Sequence, residues 1–197
     1  MTETTARPGA VVGSRISALQ KGYLANRSDS VATLVRLRRA AGKPPGSVLE
    51  ILDYTTAEEF VVGWSADEPS RAEIAAHHAM SLYSIHQQSQ RTPMHARDRS
   101  LGTAIRRLIP ADDYKPDHAV ARRFAILGTA DELSELIHHL RGMVQLLRVA
   151  GIAIDYGRLT EDLLTWQHSG GPDRVRLRWG RDFHVPPKAR PADSEQL

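Results

Sequence analysis

A chain of 197 residues, 41% hydrophobic and 25% charged, is long enough to bury one core and has the composition of a globular protein. The absence of cysteine excludes a disulfide framework and thiolate metal sites. No apolar run approaches a membrane span, and the opening MTETTARPGAVVG lacks the basic-then-apolar pattern of a signal peptide, so the expected location is the cytoplasm.

The net charge is only +3, but it is unevenly spread. Residues 1–43 carry +6, 44–90 carry −6, 91–123 carry +4, 124–173 carry −4 and 174–190 carry +5. Only four of the 26 basic residues are lysine. Arginine presents a rigid, permanently charged fork that suits phosphate, although a GC-rich genome gives the same bias. Blocks of this kind imply separate basic and acidic surfaces, and basic surfaces attract polyanions.

In chain order, residues 1–12 read as a flexible lead. A helix is expected from about Ser14, with Ile16, Leu19, Tyr23 and Leu24 at helical spacing. A second starts at Ser28 to Ser30 and turns Val31, Leu34 and Val35 inward, with Arg36 and Arg39 on another face. Gly42 and Pro44-Pro45-Gly46 end it. Ser47 with Glu50, and Thr56 with Glu59, read as capping boxes of short helices, the second leading to Phe60, Val61 and Trp64. Ser70 with Glu73 opens a longer helix to about Gln88, striped by Ile74, Leu82 and Ile85.

Residues 89–99 form a polar, basic loop. SLGTAIRRLI is a short helix with Arg106 and Arg107 outward, ended by Pro110. Residues 117–127 form another, with Val120, Phe124 and Leu127 inward and Arg122 and Arg123 outward. Thr129 and Glu132 suggest a capping box before the clearest stripe in the chain: Leu133, Leu136, Ile137, Leu140, Val144 and Leu147. Gly151 stops that helix. One more helix runs from about Asp155 to Gln167 and buries Leu159, Leu163 and Trp166. Ser169-Gly170-Gly171 reads as a linker. In RVRLRW, Val175, Leu177 and Trp179 alternate with arginines as in a strand, while Trp166, Trp179 and Phe183 are expected to pack this strip onto the last helices. The expected architecture is an all-α, compact bundle of about eight helices over residues 13–183, with a disordered tail at 184–197.

Catalytic and metal signatures are missing. His77-His78 and His138-His139 are adjacent pairs, which diverge by about 100° on a helix, and no H-x-x-x-H spacing exists. No nucleophile elbow or phosphate-binding glycine loop is present. Asp112 and Asp113 read as a turn cluster. No cofactor is expected, and the chain reads as a non-enzyme. What remains is arginine: Arg36 and Arg39 on one helix, Arg97 and Arg99 in the loop, Arg106 with Arg107 and Arg122 with Arg123 on two further helices. These eight are the candidate nucleic-acid-binding residues. Exposed aromatics are not evident, which favours a groove that follows phosphates over a base-stacking platform.

The segments HHLRGMVQLLRVAGIAIDYGRLTEDLLTWQ and VRLRWGRDF, with HHAMSLYSIHQQ and SLGTAIRRLI upstream, resemble the CasB family over roughly residues 14–183. These are the small subunits of the type I-E CRISPR surveillance complex called Cascade. The resemblance implies a non-catalytic helical subunit, present as a pair beside the backbone subunits of the complex and its guide RNA. It implies contact with the opened target DNA, biasing the near-balanced exchange of duplexes in an R-loop. The arginines named above follow from helical faces, not from the family. No membrane and no small-molecule substrate are implied. The alternatives are a helical scaffold whose arginines serve protein neighbours, and a small nuclease using Asp112, Asp113 and a histidine.

Overall fold

The computed structural model describes residues 7–61, 63, 67–116 and 118–185. Among these it contains ten α-helices and no strand. They are α1 (Pro8–Leu24), α2 (Ser28–Ala40), α3 (Leu52–Thr55), α4 (Glu58–Val61), α5 (Arg71–His86), α6 (Leu101–Arg106), α7 (Ala119–Leu127), α8 (Leu133–Ala150), α9 (Tyr156–Trp166) and α10 (Gly171–His184). Short 3-10 turns precede α3 and follow α6. The all-α expectation holds. Trp64 and residues 1–6 and 186–197 lie outside the described residues.

Helix α5 is the hub, packed by α9, α2, α8 and α1. It is buried on every side, Ala75, Ala76, Ala79, Ser81 and Ser84 included. Small residues let neighbouring backbones approach from all directions, so burial extends well beyond the expected stripe of Ile74, Leu82 and Ile85. The expected capping box at its start is present, with the Ser70 hydroxyl accepting from the Glu73 N–H at 3.1 Å and the Glu73 carboxylate from the Ser70 N–H at 2.8 Å. The second half of the chain adds α6 against α10, and α7 against α8. Gly151, at φ 65°, closes α8 as expected.

Close crossings fix two helix pairs. Gly9 of α1 meets Gly157 of α9, where a Cβ on Gly157 would stand 2.6 Å from the Gly9 carbonyl oxygen. At Gly102 of α6, an added Cβ would strike the Trp179 carbonyl of α10. Between α8 and α9 the chain pairs with the loop at 94–99. The Ala96 N–H donates to the Ile154 carbonyl (3.0 Å) and the Asp155 N–H to the Arg99 carbonyl (2.7 Å).

Several expectations are corrected. Helix α1 begins at Pro8, not Ser14: proline suits the first turn of a helix, and Val12 is fully buried. Part of the expected lead is therefore core. RVRLRW is helical, not extended. Val175, Trp179 and Phe183, four residues apart, are its buried stripe, while Leu177 faces out. The interleaved arginines gave a period of two that concealed a period of four. Gly170, at φ 63°, and Pro172 start α10 where a linker was expected. The Thr129–Glu132 box does not form. The Thr129 hydroxyl donates to the Ile126 carbonyl at the end of α7, and α8 starts after Glu132 without a side-chain cap. The Ser47 hydroxyl likewise donates backwards, to the Pro44 carbonyl (2.7 Å).

Buried histidines give the fold an acid limit. His86 is fully enclosed, with its Nδ1 3.0 Å from the Tyr156 hydroxyl, and burial pushes its pKa down from 6.5 to about 4. Burial brings His78 to about 4 as well, helped by neighbouring His77. Above about pH 7 these groups are neutral in both folded and unfolded chains and leave stability unchanged. Between 6.5 and 4 the unfolded chain takes up the proton first, so stability falls with pH. His86 alone should remove about 2 kcal/mol between pH 7 and pH 5. Equal urea midpoints at the two pH values would refute this.

Candidate nucleic-acid interface

The eight predicted arginines differ in what the fold asks of them. Arg36 and Arg39, one helical turn apart on α2, are exposed and meet no acceptor among the described residues. Their neighbour Arg38 turns inward, donates to the Ser84 carbonyl (3.4 Å), and has its pKa lowered by burial. Helix α2 packs chiefly on α5 and α1, in the first half of the fold.

Arg97 and Arg99 are exposed in the loop that pairs with the approach to α9. The loop is held by its backbone, so both guanidiniums remain available.

On α6 the expected pair divides. The Arg106 guanidinium donates to the Ile109 carbonyl at 2.9 Å and lies 4.4 Å over the Tyr114 ring, closing the end of its own helix. Arg107 is exposed. Arg122 and Arg123 are exposed on α7, which packs beside α6 on α8. Arg123 flanks a shallow groove of about 250 Å³ between α7 and α8, with His138 and His139 opposite. Arg107, at the end of α6, and the α7 pair thus lie on adjoining helices, while Arg36 and Arg39 belong to a different group.

The C-terminal arginines divide too, because α10 is a helix. Arg178 pairs with buried Asp162 at 2.6 Å, and the same carboxylate accepts from the Trp179 indole N–H at 2.6 Å. Burial raises the Asp162 pKa, while the indole and the guanidinium pull the other way. Arg176 lies over Trp166, donates to the Ala130 carbonyl and pairs with Asp173. Arg174 and Arg181 are exposed. As expected, the aromatic residues pack this segment down: Trp166 stacks on Trp179, and Phe183 on Phe124. Sequence reasoning passed over Arg7, placed in the lead, although its position one residue before a proline-initiated helix marked it as anchored.

Of the acidic pair suggested for a nuclease, Asp113 lies 3.8 Å from His118 Nε2. Among the described residues no group of three or more His, Asp or Glu side chains could hold a metal ion, and no helix is long and apolar enough to cross a membrane.

Comparison with known proteins places this architecture. No curated protein sequence matches. Among solved structures, the crystal structure of CasB from Thermobifida fusca shares 38% identity over 90% of this chain and 98% of its own, with a TM-score of 0.77. CasB of M. ruber shares 29% identity over 86% and 91%, with a TM-score of 0.61. A chain of a CRISPR RNA-guided surveillance complex, 23% identical over 88% and 93%, has the same fold, with a TM-score of 0.61. Residues 33–184 match the model of the CRISPR-associated protein Cse2 family, and the chain belongs to that family.

Proposed function

We propose that the chain serves as a non-catalytic subunit of a CRISPR RNA-guided surveillance complex of the Cascade type, paired with a second copy of itself. It follows nucleic-acid backbone without reading sequence and stabilises target DNA opened by the guide RNA. Family membership supports the assembly, and a chain of a surveillance complex has the same fold. The observation that carries the binding is the set of outward guanidiniums left after the fold has used its own. Arg106, Arg176 and Arg178 serve carbonyls, rings and carboxylates, whereas Arg36, Arg39, Arg107 and Arg123 are exposed and meet no acceptor among the described residues. Such groups bind phosphates through charge and counterion release.

The test is a salt titration of single- and double-stranded DNA and RNA binding to the full chain. Affinity should fall steeply with salt and depend little on sequence. Replacing Arg36, Arg39, Arg107 and Arg123 by Gln should reduce the slope of log K against log salt by about 1 for each phosphate left without its arginine. Unchanged affinity and slope would move these arginines to protein neighbours, and the chain to a scaffold.

A further inference from the structure

A cleft of about 400 Å³ lies where the first turn of α1, the first turns of α9 and the loop at 95–98 meet. Most of its charged groups are already used by the fold. Asp155 caps α9 by accepting from the Arg158 N–H (3.1 Å), and its other oxygen accepts from the Asp98 N–H (3.0 Å). Glu161 accepts from the Gly9 N–H (2.7 Å), and Arg158 pairs with Asp182 (2.8 Å). Arg7 and Arg97 are different. Both are exposed and meet no acceptor among the described residues. Asp98 stands at the same rim, and Asp155 and Glu161 keep their charges although backbone N–H groups solvate them, so the three arginines and three carboxylates of the lining balance.

Behind them sits His95, only 5% exposed. Its Nδ1 accepts from the Tyr156 N–H at 3.1 Å, which puts the ring proton on Nε2. Burial favours this neutral form. The Nε2–H is buried and makes no hydrogen bond of good geometry among the described residues, although the Ile154 carbonyl lies near the ring. It faces the glycine side of α1, 4.0 Å from where a Cβ on Gly13 would stand, and both residues line the cleft. A buried donor without a well-formed hydrogen bond is uncommon in a folded protein, and here it faces the same cleft as two unused guanidiniums.

We propose that this cleft is a phosphate seat, in which Arg7 and Arg97 hold phosphate oxygens at the mouth and the His95 Nε2–H donates from the back wall. The glycines of α1 keep that wall low. The proposal rests on the nucleic-acid reading only for the source of the phosphate, a backbone diester at an added point on the surface.

The test uses the full chain, with inorganic phosphate as the first probe. Thermal unfolding is followed in sodium phosphate and in sodium chloride of matched ionic strength, for the wild type and for Arg7→Gln with Arg97→Gln. Phosphate should raise the wild-type Tm above the chloride series. The double variant should keep its Tm in chloride, since both side chains lack partners among the described residues, and lose the phosphate increment. An equal increment in both proteins, or none in the wild type, overturns the proposal. A labelled single-stranded oligonucleotide then identifies the source. A backbone diester predicts weaker binding by the double variant and a salt slope reduced by about 1. Full binding alongside a lost phosphate increment assigns the seat to free phosphate or a phosphomonoester and overturns the diester source. If the Arg36, Arg39, Arg107 and Arg123 variant keeps full affinity while the Arg7 and Arg97 variant loses it, the seat stands and the arginine surface proposed above falls.

Discussion

Asp162→Ala should lower the unfolding free energy by about 2–3 kcal/mol, the upper part of the range for leaving a buried donor without its acceptor, because the Arg178 guanidinium is partly exposed and water can reach it. Asp162 is 3% exposed, and one oxygen accepts from the Trp179 indole while the other takes the Arg178 guanidinium. Alanine removes the acceptor from both donors at once. The indole N–H is then left without an acceptor on a ring that is 2% exposed and stacked on Trp166. Asp162→Asn separates charge from hydrogen bonding: it keeps an acceptor for the indole and should cost about 1–2 kcal/mol. The measurement is a urea unfolding curve followed by tryptophan fluorescence, since Trp166 and Trp179 both report on this junction. A loss below about 1 kcal/mol for the alanine variant, under the range for an unsatisfied buried donor, would mean that α9 and α10 are held together by ring packing alone.

The second large effect is expected at the crossing of α1 and α9. Gly157→Val places a branched side chain where even a single Cβ would sit 2.6 Å from the Gly9 carbonyl oxygen. The obstacle is backbone, which cannot rotate aside, so the helices must separate. That would uncover Val12 and Ile16 on one side and Leu159 on the other. A loss of about 3 kcal/mol is expected, at the upper end for overpacking. Gly142→Ala is the matched control. It lies inside α8 with nothing within 4 Å of an added Cβ. There alanine should stabilise by about 0.5–1 kcal/mol, because glycine has the greater backbone freedom to lose. If both variants shift stability alike, close approach is not what fixes α1 on α9.

The helical class and most of the core were legible because the stripes of α8 and α9 follow one period without interruption. Leu136, Leu140, Val144 and Leu147 are buried as that period requires. The strip at 174–179 was misread because two periods share its residues: Val175 and Trp179 fit both, and only Phe183 extends the helical one. The box at Thr129 failed for another local reason. A hydroxyl between two helices can serve either, and α7 ends too close to leave it free. The candidate surface was legible as a list of outward arginines but not as a set. Whether a guanidinium is spent depends on partners distant in sequence, as with Arg178 and Asp162, or on a ring met after a turn, as with Arg106 and Tyr114. His95 carried no sequence signal at all, since its role comes from which of its two nitrogens the start of α9 occupies.

The packing of α1 on α9 has a consequence for biosynthesis. A nascent chain emerges N-terminus first, so α1, with Val12, Ile16 and Leu19, is made long before α9. α2 and α5 follow soon enough to cover part of that face, but α9 ends at Trp166. The first helix therefore cannot reach its final seat until most of the chain has left the ribosome. Until α9 is made, the face of α1 that packs on it lacks its partner, and it is a late segment of the chain that covers it.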